Sequence, residues 1–337
     1  YDTLLGLSGQ DRDRAWSAIQ TSLNRYDGEL KGFDPDKVPD KPLVHLANHV
    51  LIADRKDFKV KQAYLDAVLR WFSAEIEQVG VDSMKENLDA WASRNTAGLI
   101  PNSGIKVTQD TRLVVQNALL FAAQWDSPFT AESTHQEDFT LAGGKTVKAD
   151  LMHDTRSIPH ATGKGWAAVR LAYASGEDGR DSDLALDVVL PDAGTLPGAM
   201  DAETWAEASK ALDKAETREV GLALPKLDLT SHPKELLDFL KEQGLKPDGL
   251  DKIAPELGLT QVVQQVRLIL DEEGTVAAAL SEAAAAEMAA PVEQQTKPVK
   301  FTVDHPYVLR LRDLTSGTAL LEAAIMDPTV KEIGDPA

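Results

Sequence analysis

A long alanine-rich segment, 271–291, constrains the fold of this chain more than any other feature. It lies between two strand-like apolar runs, 262–270 and 299–303. Leu280 and Met288 are its only large apolar side chains, so a helix here would bury little surface, and protein helices are stabilised mainly by packing. Composition alone leaves a surface helix or a flexible linker open. The residues Glu272 to Thr275, followed by Val276 and three alanines and placed directly after a predicted strand, favour a functional loop instead. Long segments of this kind commonly have that role.

The bulk composition limits the fold and excludes several classes of function. With 337 residues and 43% apolar side chains, the chain is long enough for one large domain or two ordinary ones. No linker or internal repeat divides it, so we expect a single domain over 1–337. The net charge of −19 argues against nucleic acid and anionic membranes as partners. The absence of cysteine excludes disulfides and a thiol nucleophile. No apolar run approaches the roughly 20 residues of a membrane span.

Hydrophobic periodicity predicts helices and strands without the regular βαβ alternation of a parallel sheet. The predicted class is therefore α+β with largely antiparallel sheets. The run 113–121 is apolar nearly throughout, which indicates a strand buried on both faces and a hydrogen-bonded Asn117 within it. The predicted helices are 10–26, 59–72, 83–96, 202–216 and 233–243. The predicted strands are 43–53, 76–81, 110–125, 166–175, 185–190, 220–229, 262–270, 299–303, 307–311 and 319–325, with a hairpin at 139–150.

Motifs of catalysis and metal binding do not assemble in this sequence. The seven histidines are scattered; His45 and His49 are four apart, but they lie on a predicted strand and lack the glutamate of a zinc-protease helix. There is no Gly-x-Ser-x-Gly elbow and no phosphate-binding glycine loop. We therefore expect no catalytic residue, no metal and no cofactor, and a protein that is not an enzyme.

Several segments resemble one known family, and they occur in the right order along essentially the whole chain. The segment 111–121, followed by Trp125 and Pro128-Phe129, resembles the third strand of the main sheet of the serpins. Leu224-Pro225-Lys226 resembles a further serpin strand motif, with Leu227 in place of phenylalanine. The segments 304–307 and 312–317 resemble the serpin C-terminal ending. The residues that resemble the serpin hinge are Glu272, Glu273, Gly274, Thr275, Ala277, Ala278 and Ala279.

The resemblance implies a fold and a function. The serpin fold has a large, mostly antiparallel central sheet, two smaller sheets, surrounding helices and an exposed reactive-centre loop, here 272–291 with its hinge. A bacterial-type inhibitory serpin would act as a suicide substrate, trapping a serine protease as an acyl-enzyme while the cleaved loop inserts into the central sheet. The alternative is a non-inhibitory serpin that acts as a carrier or chaperone-like binder. The small residues of the hinge favour the inhibitor, because alternate residues of a strand share one face and bulky ones would resist insertion.

The resemblance also assigns individual residues. Asn117 matches the shutter asparagine and Trp125 the breach tryptophan. Gln264 matches the position of the shutter histidine, so we expect another group to satisfy Asn117, with Gln264 as the candidate. The reactive bond falls at Met288–Ala289, within about one residue. Methionine there suits an elastase-, chymotrypsin- or subtilisin-like protease, whereas Glu287 would suit a glutamate-specific one.

The chain departs from the serpin pattern in ways that set further expectations. The serpin N-terminal helices that would precede Tyr1 are expected to be absent, and Leu280 occupies a position where a small residue is usual. We expect Gly274 to supply backbone freedom at the hinge. Asp271, with the two glutamates after it, is expected to keep the strand end in water. We also expect a monomer that acts outside the cell or at its surface.

Overall fold

The computed structural model of the protein describes residues 8–34, 37–39, 41–174, 183–276 and 298–333. The predicted α+β class is confirmed, because helices alternate irregularly with strands that pair mostly antiparallel. None of the helices in these ranges is both long and apolar enough to cross a membrane.

Five α-helices lie in the described part of the chain, close to the five predicted segments. The second helix ends at Ser73, which adopts a left-handed conformation with φ of 48°. The fourth begins after Asp201, whose carboxylate accepts a hydrogen bond of 2.8 Å from the Thr204 N–H and so caps the helix. The helices are α1 Gly9–Leu23, α2 Gln62–Phe72, α3 Val81–Asn95, α4 Ala202–Leu212 and α5 Leu237–Glu242.

The strands fall where apolar or β-branched residues are concentrated, as predicted for most of them. In chain order they are β1 Leu43–Ala53, β2 Glu75–Val79, β3 Leu113–Gln124, β4 Thr134–Thr140, β5 Thr146–Gly163, β6 Trp166–Ala172, β7 Leu184–Pro191, β8 Thr217–Pro225, β9 Leu227–Ser231, β10 Lys234–Glu235, β11 Val263–Gln264, β12 Arg267–Leu270, β13 Gly274–Val276, β14 Val299–Thr302, β15 Tyr307–Asp313, β16 Thr318–Ile325 and β17 Glu332–Ile333.

The strands form two large sheets and one short ribbon. The first sheet has seven strands in the order β17-β9-β12-β13-β3-β1-β2. The second runs β14-β8-β5-β6-β7-β15-β16, with β4 also paired to β5. The long strand β5 joins two groups of strands, because its first part pairs with β4 and β8 and its last part with β6. The two smaller sheets expected from the sequence are therefore continuous through β5.

The main hydrophobic cluster draws side chains from both large sheets. Trp125, at the end of β3, and Tyr173, after β6, are each only 1% exposed. Leu23 of α1 is also 1% exposed and joins the same cluster. Burial of this apolar surface, worth roughly 25 cal/mol per Å², holds the two sheets together.

Two predicted strands are broken in the structure, and a predicted helix is shorter. The segment 220–229 passes from one sheet to the other at Pro225, which has no N–H to extend the ladder. The segment 262–270 divides into β11 and β12, since Val266 bonds Ser231 of β9 between them. The helix predicted over 233–243 is reduced to α5 because Lys234 and Glu235 pair with β11.

The prediction that β3 is buried on both faces is wrong for part of the strand. Val115 is 56% exposed, and Asn117 is also exposed. Strand β1 covers one edge of β3 from Leu113 to Ala122. On the other edge, among the described residues, only Ala123 and Gln124 are paired, with β13. The apolar run therefore faces an opening in the seven-stranded sheet.

Candidate functional site

The hinge is a tight turn that brings the chain back into the seven-stranded sheet. After β12 the chain reverses at Asp271–Gly274, and β13 then runs antiparallel to both of its neighbours. Thr275 is opposite Leu270 on one side and Ala123 on the other. The first residues of the predicted reactive-centre loop thus form a short central strand.

Asp271 holds this turn together. Its Oδ1 atom accepts hydrogen bonds from the N–H groups of Glu273, at 3.0 Å, and Gly274, at 3.2 Å. Its own N–H donates to the Gly274 carbonyl at 3.0 Å. Asp271 is only 7% exposed, and burial raises the pKa of its carboxyl group, although the two backbone donors oppose this. The expectation that Asp271 lies in water is wrong, because the carboxylate replaces water as the partner of the turn's N–H groups.

Glu272 is also held by the protein rather than by water. Its carboxylate lies 2.5 Å from the Lys226 amine and accepts a hydrogen bond of 2.7 Å from the Thr134 hydroxyl. Burial opposes ionisation of Glu272, yet these two partners lower its pKa. The Glu272 side chain is only 14% exposed. Its ion pair with Lys226 connects the hinge to the residue between β8 and β9.

Gly274 is required for close approach rather than for backbone freedom. A Cβ atom at this position would lie 2.2 Å from the Ala123 carbonyl oxygen. The φ angle of Gly274 does not lie in the left-handed region, so its backbone conformation does not require glycine. The expected role is therefore corrected: glycine lets β13 pack directly against β3.

Thr275 points into the core, as the predicted small, inward face requires. It is 4% exposed, and its hydroxyl lies 2.7 Å from the Tyr173 hydroxyl. Trp125 stacks on Tyr173, with ring centroids 4.8 Å apart and planes within 12°. Its indole N–H donates to the Asp271 carbonyl at 2.9 Å. Burial raises the pKa of Tyr173, so its hydroxyl stays neutral and available to Thr275.

The amino-acid sequence points to neither Tyr173 nor the role of Lys226. Tyr173 lies within the strand predicted over 166–175, where an aromatic residue is ordinary. Lys226 was part of a motif, but nothing in the motif indicated its partner. The local pattern contains no signal for either contact, since Thr275 and Glu272 are far away along the chain.

Next to the hinge, and among the described residues, the edge of β3 opposite β1 has no paired strand over 113–122. A cavity of about 610 Å³ runs between the free edge of β3 and the segment 261–270, and reaches leucines of the second sheet. At one end of this cavity, β13 lies between β3 and β12. The side chains that line it include Val115, Asn117, Phe121, Gln264, Val266 and Leu268.

Asn117 and Gln264 line the same cavity, but the side-chain amide of Asn117 donates to β1 and not to Gln264. Its side-chain amide donates to the Ala47 carbonyl at 2.9 Å and to Asn48 Oδ1 at 3.0 Å, both on β1. Gln264 pairs with Lys234 in the short β10–β11 ribbon. The expectation that Gln264 satisfies Asn117 is therefore corrected: β1 does so.

Five predicted site residues lie outside the described residues: Ala277, Ala278, Ala279, Met288 and Ala289. Their assignment remains a prediction from the sequence. Among the residues that the structure describes, no group of three or more histidine, aspartate or glutamate side chains could hold a metal ion.

Comparison with known proteins gives the family. The family model described as serpin (serine protease inhibitor) matches residues 2–328. An uncharacterized serpin-like protein of Thermococcus kodakarensis is 28% identical over 285 residues, which cover 81% of this chain and 64% of that protein. This chain belongs to the serpin family.

Solved structures agree in fold. An Arabidopsis serpin, AtSerpin1 in its native stressed conformation, aligns with a TM-score of 0.73 and 22% identity, covering 97% of this chain and 84% of that one. Human thyroxine-binding globulin aligns with a TM-score of 0.72 and 19% identity over 93% of this chain and 80% of its own. At these identities the likeness establishes the fold alone, and the expected serpin fold is confirmed.

Proposed function

We propose that this protein inhibits serine proteases as a suicide substrate, by inserting its cleaved loop into the seven-stranded sheet. One observation carries the proposal: β13, the start of the loop, is already paired between β3 and β12, and in the described part of the chain the adjoining edge of β3 has no partner strand. A strand that continued from β13 would find a free backbone edge and an open cavity in its path.

The chemistry belongs to the protease, and the loop supplies the substrate. The protease serine attacks a loop carbonyl, an ester bond forms, and the peptide C–N bond breaks as the leaving amine takes a proton. The new ester links the protease to the N-terminal part of the loop. Insertion of that part then carries the protease along before water can hydrolyse the ester.

Strand addition can supply the free energy. Each new ladder hydrogen bond contributes ~0.5–1.5 kcal/mol net, so about ten bonds along β3 and its opposite neighbour give on the order of 10 kcal/mol. That is comparable to the entire folding stability of many domains, roughly 5–15 kcal/mol. A protease catalytic site could therefore be distorted by this step.

The proposal is tested by mixing the protein with elastase or subtilisin and separating the products under denaturing conditions. We expect a covalent complex that survives denaturation, with a mass equal to the protease plus the larger fragment of the inhibitor. Cleaved protein without any complex would overturn the inhibitor proposal. A protease whose catalytic serine is blocked beforehand is the control and should give no complex.

A carrier function is the second candidate, and the cavity supports it. Its lining includes Leu309, Leu311, Leu320 and Leu321 of the second sheet, so it could accept an apolar ligand. A structural neighbour, human thyroxine-binding globulin, is solved with thyroxine. Saturable thyroxine binding, together with the absence of a covalent complex, would favour the carrier; the small side chain of Thr275 favours the inhibitor.

A further inference from the structure

His49 is a buried histidine at the interface between α3 and the seven-stranded sheet. It lies on β1 and is 0% exposed. Its ring stacks on Trp91 of α3, with centroids 5.1 Å apart and planes within 13°. The contact between helix and sheet is therefore built around an ionisable ring.

Hydrogen bonds determine which nitrogen of His49 carries the proton. The Gln116 side-chain nitrogen lies 3.1 Å from His49 Nδ1 and 3.4 Å from the Leu88 carbonyl. A carbonyl can only accept, so Gln116 presents its NH2 group to both atoms, and Nδ1 must accept as well. The proton then resides on Nε2, which is buried and has no partner among the described residues.

The charged groups around His49 come from each element packed against it. Strand β2 contributes Glu75, which lies opposite His49 in the sheet, and α3 contributes Arg94. Glu75 is already engaged by α3, because its carboxylate accepts from the Trp91 indole and from Arg94, each at 2.9 Å.

The same strand also carries His45, which contacts α3 in a different way. One ring nitrogen of His45 lies 2.8 Å from Asp27 Oδ1, and the other lies 3.1 Å from Asn95 Oδ1. Both nitrogens of His45 therefore face oxygen atoms, whereas Nδ1 of His49 faces an N–H donor. The surroundings of His49 therefore disfavour a second proton on Nδ1.

We propose that His49 makes the docking of α3 on the seven-stranded sheet dependent on pH, with the neutral ring holding the helix and the protonated ring releasing it. A second proton would have to bind Nδ1, where it would face the N–H group of Gln116. It would also place a positive charge at a fully buried position. Burial, opposed by Glu75 and assisted by Arg94, lowers the pKa of His49, in agreement with this geometry.

The sign of the effect follows from linkage. Because the docked state holds His49 neutral, docking has its full strength above the ordinary histidine range, about pH 6.5. As the pH falls below that value, the undocked state binds the proton more readily, and α3 is released. Each pH unit then weakens docking by up to about tenfold, until the buried ring itself is protonated.

The interface adjoins the cavity in the sheet. Trp91 and Gln116 line it, so release of α3 would widen the path of an inserting strand. This consequence rests on the proposed function: at mildly acidic pH the intact loop would insert faster without a protease, and inhibitory activity would be lost faster on storage.

Hydrogen exchange of the full chain, followed by mass spectrometry of α3 peptides, tests the proposal without a protease. Between pH 7.5 and 5.5, after correction for intrinsic exchange rates, protection of α3 should fall about tenfold in the wild type. In His49→Phe, which keeps an aromatic ring against Trp91, it should stay constant. His232→Gln is the matched control, because His232 is 61% exposed, and it should behave as the wild type. Equal losses in wild type and His49→Phe would overturn the proposal.

A second measurement uses the unmodified protein and does not depend on how the variant folds. The nitrogen-15 chemical shifts of His49 should report the Nε2–H tautomer at pH 7.5 and at pH 6. A doubly protonated ring at pH 7.5 would overturn the proposal. If the wild type forms no covalent complex with any protease, the proposed function fails, while the exchange result on α3 still stands.

Discussion

The Tyr173 hydroxyl and Thr275 Oγ1 lie 2.7 Å apart in the core, and this contact ties the first strand of the loop to the second sheet. Thr275 is 4% exposed and Tyr173 is 1% exposed, so neither group has water as an alternative partner. The hinge is therefore anchored by this buried hydrogen bond, by the bond from the Trp125 indole to the Asp271 carbonyl, by the buried Asp271 carboxylate and by Gly274, which allows close packing.

Removing the Tyr173 hydroxyl should loosen the hinge. Tyr173→Phe leaves the buried Thr275 hydroxyl without this partner, and we expect a loss of about 1–3 kcal/mol in the free energy of unfolding, measured with urea. Tyr307→Phe is the control, since the Tyr307 hydroxyl is buried and unpartnered in the described structure, and its removal should be neutral or stabilising. Equal effects of the two changes would contradict the anchoring role.

Enlarging Thr275 should convert an inhibitor into a substrate. Thr275→Arg would place an unpaired charge in the buried position beside Tyr173, so insertion beyond this residue should fail. We expect the covalent complex to disappear and cleaved protein to accumulate, as measured by denaturing electrophoresis. Thr140→Arg, on the exposed side of β4, should leave the complex intact. Unchanged inhibition by Thr275→Arg would refute the insertion mechanism.

Adding a single methyl group to Gly274 should displace β13. The new Cβ would lie 2.2 Å from the Ala123 carbonyl oxygen, and overpacking of this kind costs about 1–3 kcal/mol. Urea unfolding of Gly274→Ala should show this loss. Gly143→Ala is the matched control, because a Cβ there meets nothing within 4 Å. A Gly274→Ala variant as stable as its control would mean that the hinge has room to move.

Two acidic residues of the hinge, Glu272 and Asp271, should respond oppositely to pH. Glu272 has a lowered pKa, so its ion pair with Lys226 contributes above about pH 4 and is lost as the pH falls further. Glu272→Gln should therefore be less stable than the wild type at pH 7, by about 1 kcal/mol, with the difference vanishing near pH 3.

Asp271 has a raised pKa, so its ionised form is penalised in the folded state and the penalty is relieved as the pH falls. Asp271→Asn keeps an oxygen acceptor for the turn without the charge. It should be at least as stable as the wild type at pH 7. Urea unfolding at pH 7 and pH 3 measures both variants, and a large loss for Asp271→Asn at pH 7 would show that the charge itself is needed.

The reactive bond is predicted from the sequence alone and can be checked directly. After reaction with elastase or subtilisin, the small C-terminal fragment should begin at Ala289, as determined by its mass. Met288→Glu should then slow complex formation with these proteases, because their pockets prefer apolar side chains. A fragment that begins two or more residues away would contradict the assignment of Met288.

Much of the fold follows from local pattern. Strand β1 has the predicted limits Leu43 and Ala53, since a largely apolar, strand-like run is bounded there by Pro42 and Asp54. The strands predicted at 307–311 and 319–325 are present as β15 and β16, which pair antiparallel. The predictions failed where pairing partners decide the outcome, as at Pro225 and Val266, because strand limits there depend on which neighbour is present.

The amino-acid pattern was sufficient for the α+β class, the family and the small inward side chain of Thr275, because periodicity and motif order are properties of the chain itself. Packing alone decided that Asp271 is buried and that Asn117 is hydrogen-bonded to β1. Packing also decided the contacts of Tyr173 with Thr275, of Lys226 with Glu272 and of His49 with Trp91. These contacts join segments far apart in sequence, and their burial and hydrogen bonds exist only after the two sheets and α3 have come together.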